Sequence, residues 1–133
     1  MEYHATAKYV RMSPRKVQLV ARSVHHLTPT DALSRLKTLP KRAGETVADV
    51  IVSAVAGAKE KKADVGVLRI KAIEVLRGPV MKRWHAVSKG QAHAFKKRMT
   101  HIRVTLTDEM DKHQIPISKH QTIAKHQTKT NKS

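Results

Sequence analysis

The amino-acid sequence predicts an α+β fold: three helices packed on a small antiparallel sheet, with a long protruding β-hairpin and a basic C-terminal tail. Three observations predict it. Apolar residues recur with helical period in three stretches between Pro14 and Lys59. Two later stretches, 67–76 and 101–107, switch to a period of two. The stretch 79–107 carries seven Lys or Arg and no acid, and a turn signal, Lys89-Gly90-Gln91, falls near its middle. The 133 residues are material for one small domain with an extension. The expected division is 1–107, a globular domain with an extended hairpin over 79–107, and 108–133, a low-complexity basic tail.

The elements follow in chain order. Residues 5–12 alternate weakly and suit a short strand. Ser13-Pro14 reads as a helix start, with Ser13 as N-cap and Pro14 at the first helical position. Val17, Val20, Ala21, Val24 and Leu27 then share one face. Thr30 is the expected second N-cap, with Asp31 in the first turn, where the helix dipole favours it. Leu33, Leu36 and Leu39 form that helix's apolar face, and Pro40 ends it. A third helix reads from about Lys41 to Lys59, with Ala43, Val47, Val50, Ile51, Ala54 and Ala58 inward. In the strand 67–76, Leu68, Ile70 and Ala72 share a face, and then the phase slips to Ile73 and Val75. That slip predicts a bulge near Ala72. Residues 101–107 place Ile102, Val104 and Leu106 inward, as in a half-buried antiparallel strand.

Gly78-Pro79 is expected to break the strand before it. Gly90 supplies the positive φ that a tight turn needs. Arms of roughly ten residues reach about 33 Å, whereas a body of about 105 residues has a radius of gyration near 13 Å. The hairpin therefore protrudes. A two-stranded ribbon is marginal in water, and like charges along both arms make it worse. Trp84 and Phe95 sit on opposite arms at about equal distance from the tip, placed to stack on bases or on each other.

Charge points to the partner. Lys plus Arg number 27 against 10 acids, a formal net charge of +17. So small a chain self-repels at that charge unless an anion compensates it, and nucleic acid is the leading candidate. An anionic membrane surface ranks last, because the basic residues concentrate on strand-like sequence rather than on an amphipathic helix. No apolar run is long enough to span a bilayer. The first ten residues lack the apolar core of a secretory signal. The chain has no cysteine, which removes disulfides and thiolate metal sites and makes the cytosol the default compartment. Nine histidines invite a metal, but His113, His120 and His126 have no clustered carboxylate to complete a site. No catalytic constellation stands out. The sequence thus implies no enzyme, no cofactor and no metal. In the tail, ISKHQT and IAKHQT (117–122 and 123–128) are near copies, a composition that builds no core.

Several motifs in register carry a resemblance. They are Ser13-Pro14-Arg15-Lys16-Val17, Thr30-Asp31-Ala32-Leu33, Gly78-Pro79 and Met81-Lys82-Arg83. With them go Ser88-Lys89-Gly90-Gln91 and His101-Ile102-Arg103-Val104-Thr105-Leu106. The chain resembles, over about residues 4–107, the universal large-subunit ribosomal protein family whose bacterial members are numbered twenty-two. Val87 stands where the family signature has a basic residue, and Gln91 where Arg is usual. Ala86 replaces a common Pro, and His25-His26-Leu27 replaces an Arg-Gly turn.

The resemblance implies a structural constituent of the large subunit that binds large-subunit (23S) rRNA and supports assembly. It implies a body at the outer surface near the tunnel exit and a hairpin threading the rRNA. The tip, Val87, Ser88, Lys89, Gly90, Gln91, Ala92 and His93, then lines the nascent-peptide exit tunnel near its constriction. Expected partners are rRNA, neighbouring large-subunit proteins and the nascent peptide, with no membrane and no homo-oligomer. The residues expected to bind rRNA on the body are Arg11, Arg15, Lys16, Arg22, His101 and Arg103. On the hairpin they are Lys82, Arg83, Trp84, Lys96, Lys97 and Arg98. The rival reading is a free-standing RNA- or DNA-binding regulator, which would hold a short nucleic acid by itself.

Overall fold

The computed structural model describes residues 1–108. The expected basic tail lies outside these residues, save for Asp108. Two of the three helices, the first and the third, pack on a three-stranded antiparallel sheet of order β1-β3-β2, and the second packs on those two. The strands are β1 (Glu2–Val10), β2 (Arg69–Ala86) and β3 (Ala92–Thr107). The helices are α1 (Pro14–Val24), α2 (Pro29–Thr38) and α3 (Arg42–Glu60). This is the α+β architecture that the sequence predicts.

The central strand organises the core. Ile102, Val104 and Leu106 of β3 are fully buried. They face Ala7, Ala5 and Tyr3 of β1 on one side. On the other side they face Val75, Ile73 and Ile70 of β2. The register of β2 shifts between Ile70 and Ala72, so Ile70, Ile73 and Val75 all turn to the covered face. The phase slip in the sequence is this bulge. Val17, Val20 and Val24 of α1 and Val47, Ile51 and Ala54 of α3 close the core. The α3 helix ends in a Schellman turn. Lys62 takes φ 58° there, and Ala63 N–H donates to the Ala58 carbonyl at 3.1 Å.

Four local expectations are corrected. First, β1 spans Glu2–Val10 rather than 5–12, because its pairing with β3 extends to Glu2↔Thr107. Second, the α2 N-cap is Thr28, not Thr30. Pro29 takes the first helical position, for which its fixed φ and missing N–H suit it, and the Thr28 hydroxyl accepts from Asp31 N–H at 3.2 Å.

Third, Gly78-Pro79 does not break the strand, and β2 runs through it. The register slips between Arg77 and Val80, and β2 is an edge strand. A proline there sacrifices no ladder bond. A Cβ at Gly78 would lie 3.0 Å from the Met99 carbonyl carbon, so only glycine admits this approach of the two strands.

Fourth, Trp84 pairs with Ala94, while Phe95 pairs with Arg83. The one-residue offset sends the two rings to opposite faces of the ribbon. Phe95 instead meets His85 edge-on at 6.3 Å, and Trp84 is left 70% exposed.

Candidate nucleic-acid interface

Beyond Thr100, β3 has only β2 for a neighbour, because β1 pairing ends at Val10↔Thr100. The unsupported ribbon runs from the Val80↔Arg98 pair to the Ala86↔Ala92 pair, seven residues in each arm. It reaches about 23 Å, shorter than the expected arm because the body supports its first turns of pleat. No residue from Val80 to Arg98 is buried.

Register decides how the charges meet. Lys82 stands directly opposite Lys96. Like charges so placed destabilise a ribbon. Lys97 and Arg98 follow on the same strand, and the Arg83 guanidinium bonds the Lys82 carbonyl at 2.9 Å. At the tip, Lys89 and Gly90 both take positive φ, 59° and 67°. They sit in the three-residue loop Ser88–Gly90, where glycine takes the left-handed region without steric cost. Val87 N–H donates to the Gln91 carbonyl at 2.9 Å and closes the loop. Ser88, Lys89, Gly90, Gln91, Ala92 and His93 are all exposed, and Val87 is half-buried.

At the ribbon's root the fold brings distant cations together. Arg11 and Lys16 come from the segment that leaves β1 and enters α1, and Lys41 and Arg42 from the start of α3. Lys96, Lys97 and Arg98 come from the uncovered edge of β3. These seven line one cleft of about 810 Å³ over Met12, Leu19, Ala43 and Met81, with no acid in the lining. None of the seven has a carboxylate partner among the described residues. Sequence reasoning missed Lys41 and Arg42, because the charges of 41–60 cancel when summed along the chain. The missed signal was that these two cations stand together at one end of that helix.

The root is braced from within. The buried Thr100 hydroxyl donates to the Met12 carbonyl at 2.6 Å and ties β3 to the start of α1. Tyr9 takes φ 61° in the β1 irregularity, and its N–H donates to His101 Nδ1 at 3.0 Å. That ring nitrogen of His101 is therefore engaged inside the protein. Other expected residues lie apart from the cleft. Arg15 and Arg22 are exposed on α1, seven positions apart and so on one side of the helix. Arg103 faces solvent on the open side of the sheet, opposite Glu74 in register.

Glu2 and Asp108 sit at the far end of β3. The Lys71 ammonium holds Glu2 below the usual carboxylate range, and the Met1 amine does the same for Asp108. Among the described residues no cluster of His, Asp or Glu is arranged to hold a metal ion. No helix there is long and apolar enough to cross a membrane.

Comparison with known proteins decides what this arrangement belongs to. The family model described as ribosomal protein L22p/L17e matches residues 5–107. The chain belongs to the ribosomal protein L22p/L17e family. It is similar to the large ribosomal subunit protein uL22 of Syntrophus aciditrophicus (strain SB), with 43% identity over 110 residues. That match spans 82% of this chain and 100% of that protein. The uL22 of Syntrophobacter fumaroxidans is 39% identical over 110 residues, again 82% of this chain and 100% of that protein. The uL22 of Aquifex pyrophilus is 36% identical over 105 residues, 79% of each chain. L22p/L17e proteins are structural parts of the large subunit rather than enzymes, which gives this chain a structural role in the cytoplasmic ribosome with rRNA and ribosomal proteins around it.

Proposed function

We propose that this chain binds large-subunit rRNA chiefly through its ribbon and its first helix, supports subunit assembly, and lines the nascent-peptide exit tunnel with the tip Val87–His93. The work is electrostatic and geometric. Lys82, Arg83, Lys96, Lys97 and Arg98 position rRNA backbone, and phosphate contacts of this kind fix orientation rather than read sequence. Trp84, being exposed, offers a face for stacking on a base. One observation carries the reading: an acid-free ribbon without a buried side chain sets Lys82 against Lys96. In water that pairing only costs, and surrounding phosphate turns it into a gain. With Val87 and Gln91 where the family has basic residues, the tip offers fewer rRNA contacts than the family pattern. The body, 1–107 with its hairpin, occupies the outer surface near the tunnel exit as a single copy, performing no catalysis and holding no metal.

The test is charge reversal at Lys96 and Arg98. The variant K96E/R98E retains its melting temperature, lowers the salt slope of rRNA binding by about two, and drops out of large subunits in gradient sedimentation. Normal incorporation overturns the reading. So does wild-type binding of a short unrelated RNA as tight as its binding of large-subunit rRNA, which is the behaviour of a free regulator.

A further inference from the structure

We infer that the cleft at the ribbon's root grips one segment of RNA backbone between body and ribbon, with Lys41 and Arg42 as the body-side jaw. The inference rests on the rRNA-binding reading above and adds the place and the residues. Three sequence-distant segments supply the seven cations of the cleft, and none has a carboxylate partner among the described residues. Gathering them concentrates repulsion that only an anionic occupant relieves.

Lys41 and Arg42 sharpen the point. Both are exposed, and they occupy the N-cap and the first position of α3. A cation at that end of a helix has the wrong sign for the dipole, and lysine forms no cap. The Lys41 side chain indeed makes no capping bond. Residues that break a local rule without local gain mark functional positions.

The occupant's chemistry follows from the lining. Cationic walls suit phosphodiester oxygens. The floor of Met12, Leu19, Ala43 and Met81 suits the less polar sugar and base edges. Leu19, on that floor, is 58% exposed. A volume of about 810 Å³ exceeds the need of one inorganic anion and lies within the range of ligand-sized clefts. Lys82 stands directly opposite Lys96 of the lining, so a strand leaving the cleft along that face of the ribbon meets Lys82 next. Gripped there, RNA sets the angle between ribbon and body.

Transcribed large-subunit rRNA and the full chain test this. The K41A/R42A variant folds as the wild type by circular dichroism and lowers the salt slope of binding by about two. K96A/R98A does likewise. Combining the pairs weakens binding by at least threefold less than the product of their separate effects, because both hold one segment. The chain has no cysteine, so iron-chelate probes attach singly to R42C and K97C variants. Both probes cleave the same short stretch of rRNA backbone, a readout that stands even where the double variant misfolds.

Cleavage at distant stretches, or an unchanged slope in K41A/R42A, overturns the cleft and leaves the rRNA reading intact. Failure of the wild type to bind rRNA overturns both. If K41A/R42A keeps rRNA binding but loses its crosslink to an acidic neighbouring protein, the cleft is a protein contact and the inference falls.

Discussion

The body and the ribbon are built from one sheet and obey opposite rules. In the body, β3 is flanked on both sides, and its inward residues Ile102, Val104 and Leu106 are fully buried beneath helices. In the ribbon the same strand continues with no buried residue from Ala92 to Arg98. Apolar burial at about 25 cal/mol per Å² supports the first region, and nothing comparable supports the second. The body's stability is internal. The ribbon's order depends on what surrounds it, and its exposed cations specify that surrounding.

The largest effect that can break this contrast lies in the body. Ile51 is fully buried between α3 and the sheet. Ile51→Ala lowers unfolding free energy by about 2–5 kcal/mol in a denaturant melt. A cost below about 1 kcal/mol would mean that the core is not where the body's stability resides.

A smaller effect compares the two regions directly, because each carries a non-glycine residue in the left-handed region. His26 has φ 68° after α1, and Lys89 has φ 59° at the tip. His26→Gly relieves strain inside the cooperative unit and raises stability by about 1 kcal/mol. Lys89→Gly leaves the melt where it was. Equal gains from the two would show that ribbon and body unfold as one unit.

The smallest effect belongs to removal of the tip. Deleting 88–92 shifts the body's cooperative melt by less than about 0.5 kcal/mol, since no core residue lies within that segment. Loss of the melt on this deletion would erase the distinction between the regions.

Much of this was legible in the sequence, for identifiable reasons. Apolar spacing exposed the inward faces of α1 and α3, because a helix core stripe repeats at a fixed period. The slip at Ala72 was readable because side chains alternate strictly along a strand. Thr28 against Thr30 was not decided by composition, since both are good caps, and the intervening Pro29 settled it. Gly78-Pro79 misled because its reading depends on whether the strand lies at an edge. Trp84 and Phe95 look like partners when the turn is centred near Gly90, whereas the pairing of Ala86 with Ala92 and Trp84 with Ala94 centres the hairpin on Lys89. An error of one residue sends a side chain to the other face.

Composition and periodicity alone determined that this chain has a Val-, Ile-, Leu- and Ala-rich core, a cationic arm and an anionic partner. Those properties are local, or are sums along the chain. Where β1 stops pairing, and hence how much of the ribbon stands free, belonged to the tertiary structure. So did the meeting of Arg11, Lys16, Lys41, Arg42 and Lys96–Arg98 in one cleft. Net charge adds along a sequence, but the field that a partner meets depends on distances between side chains, and only the folded chain sets those.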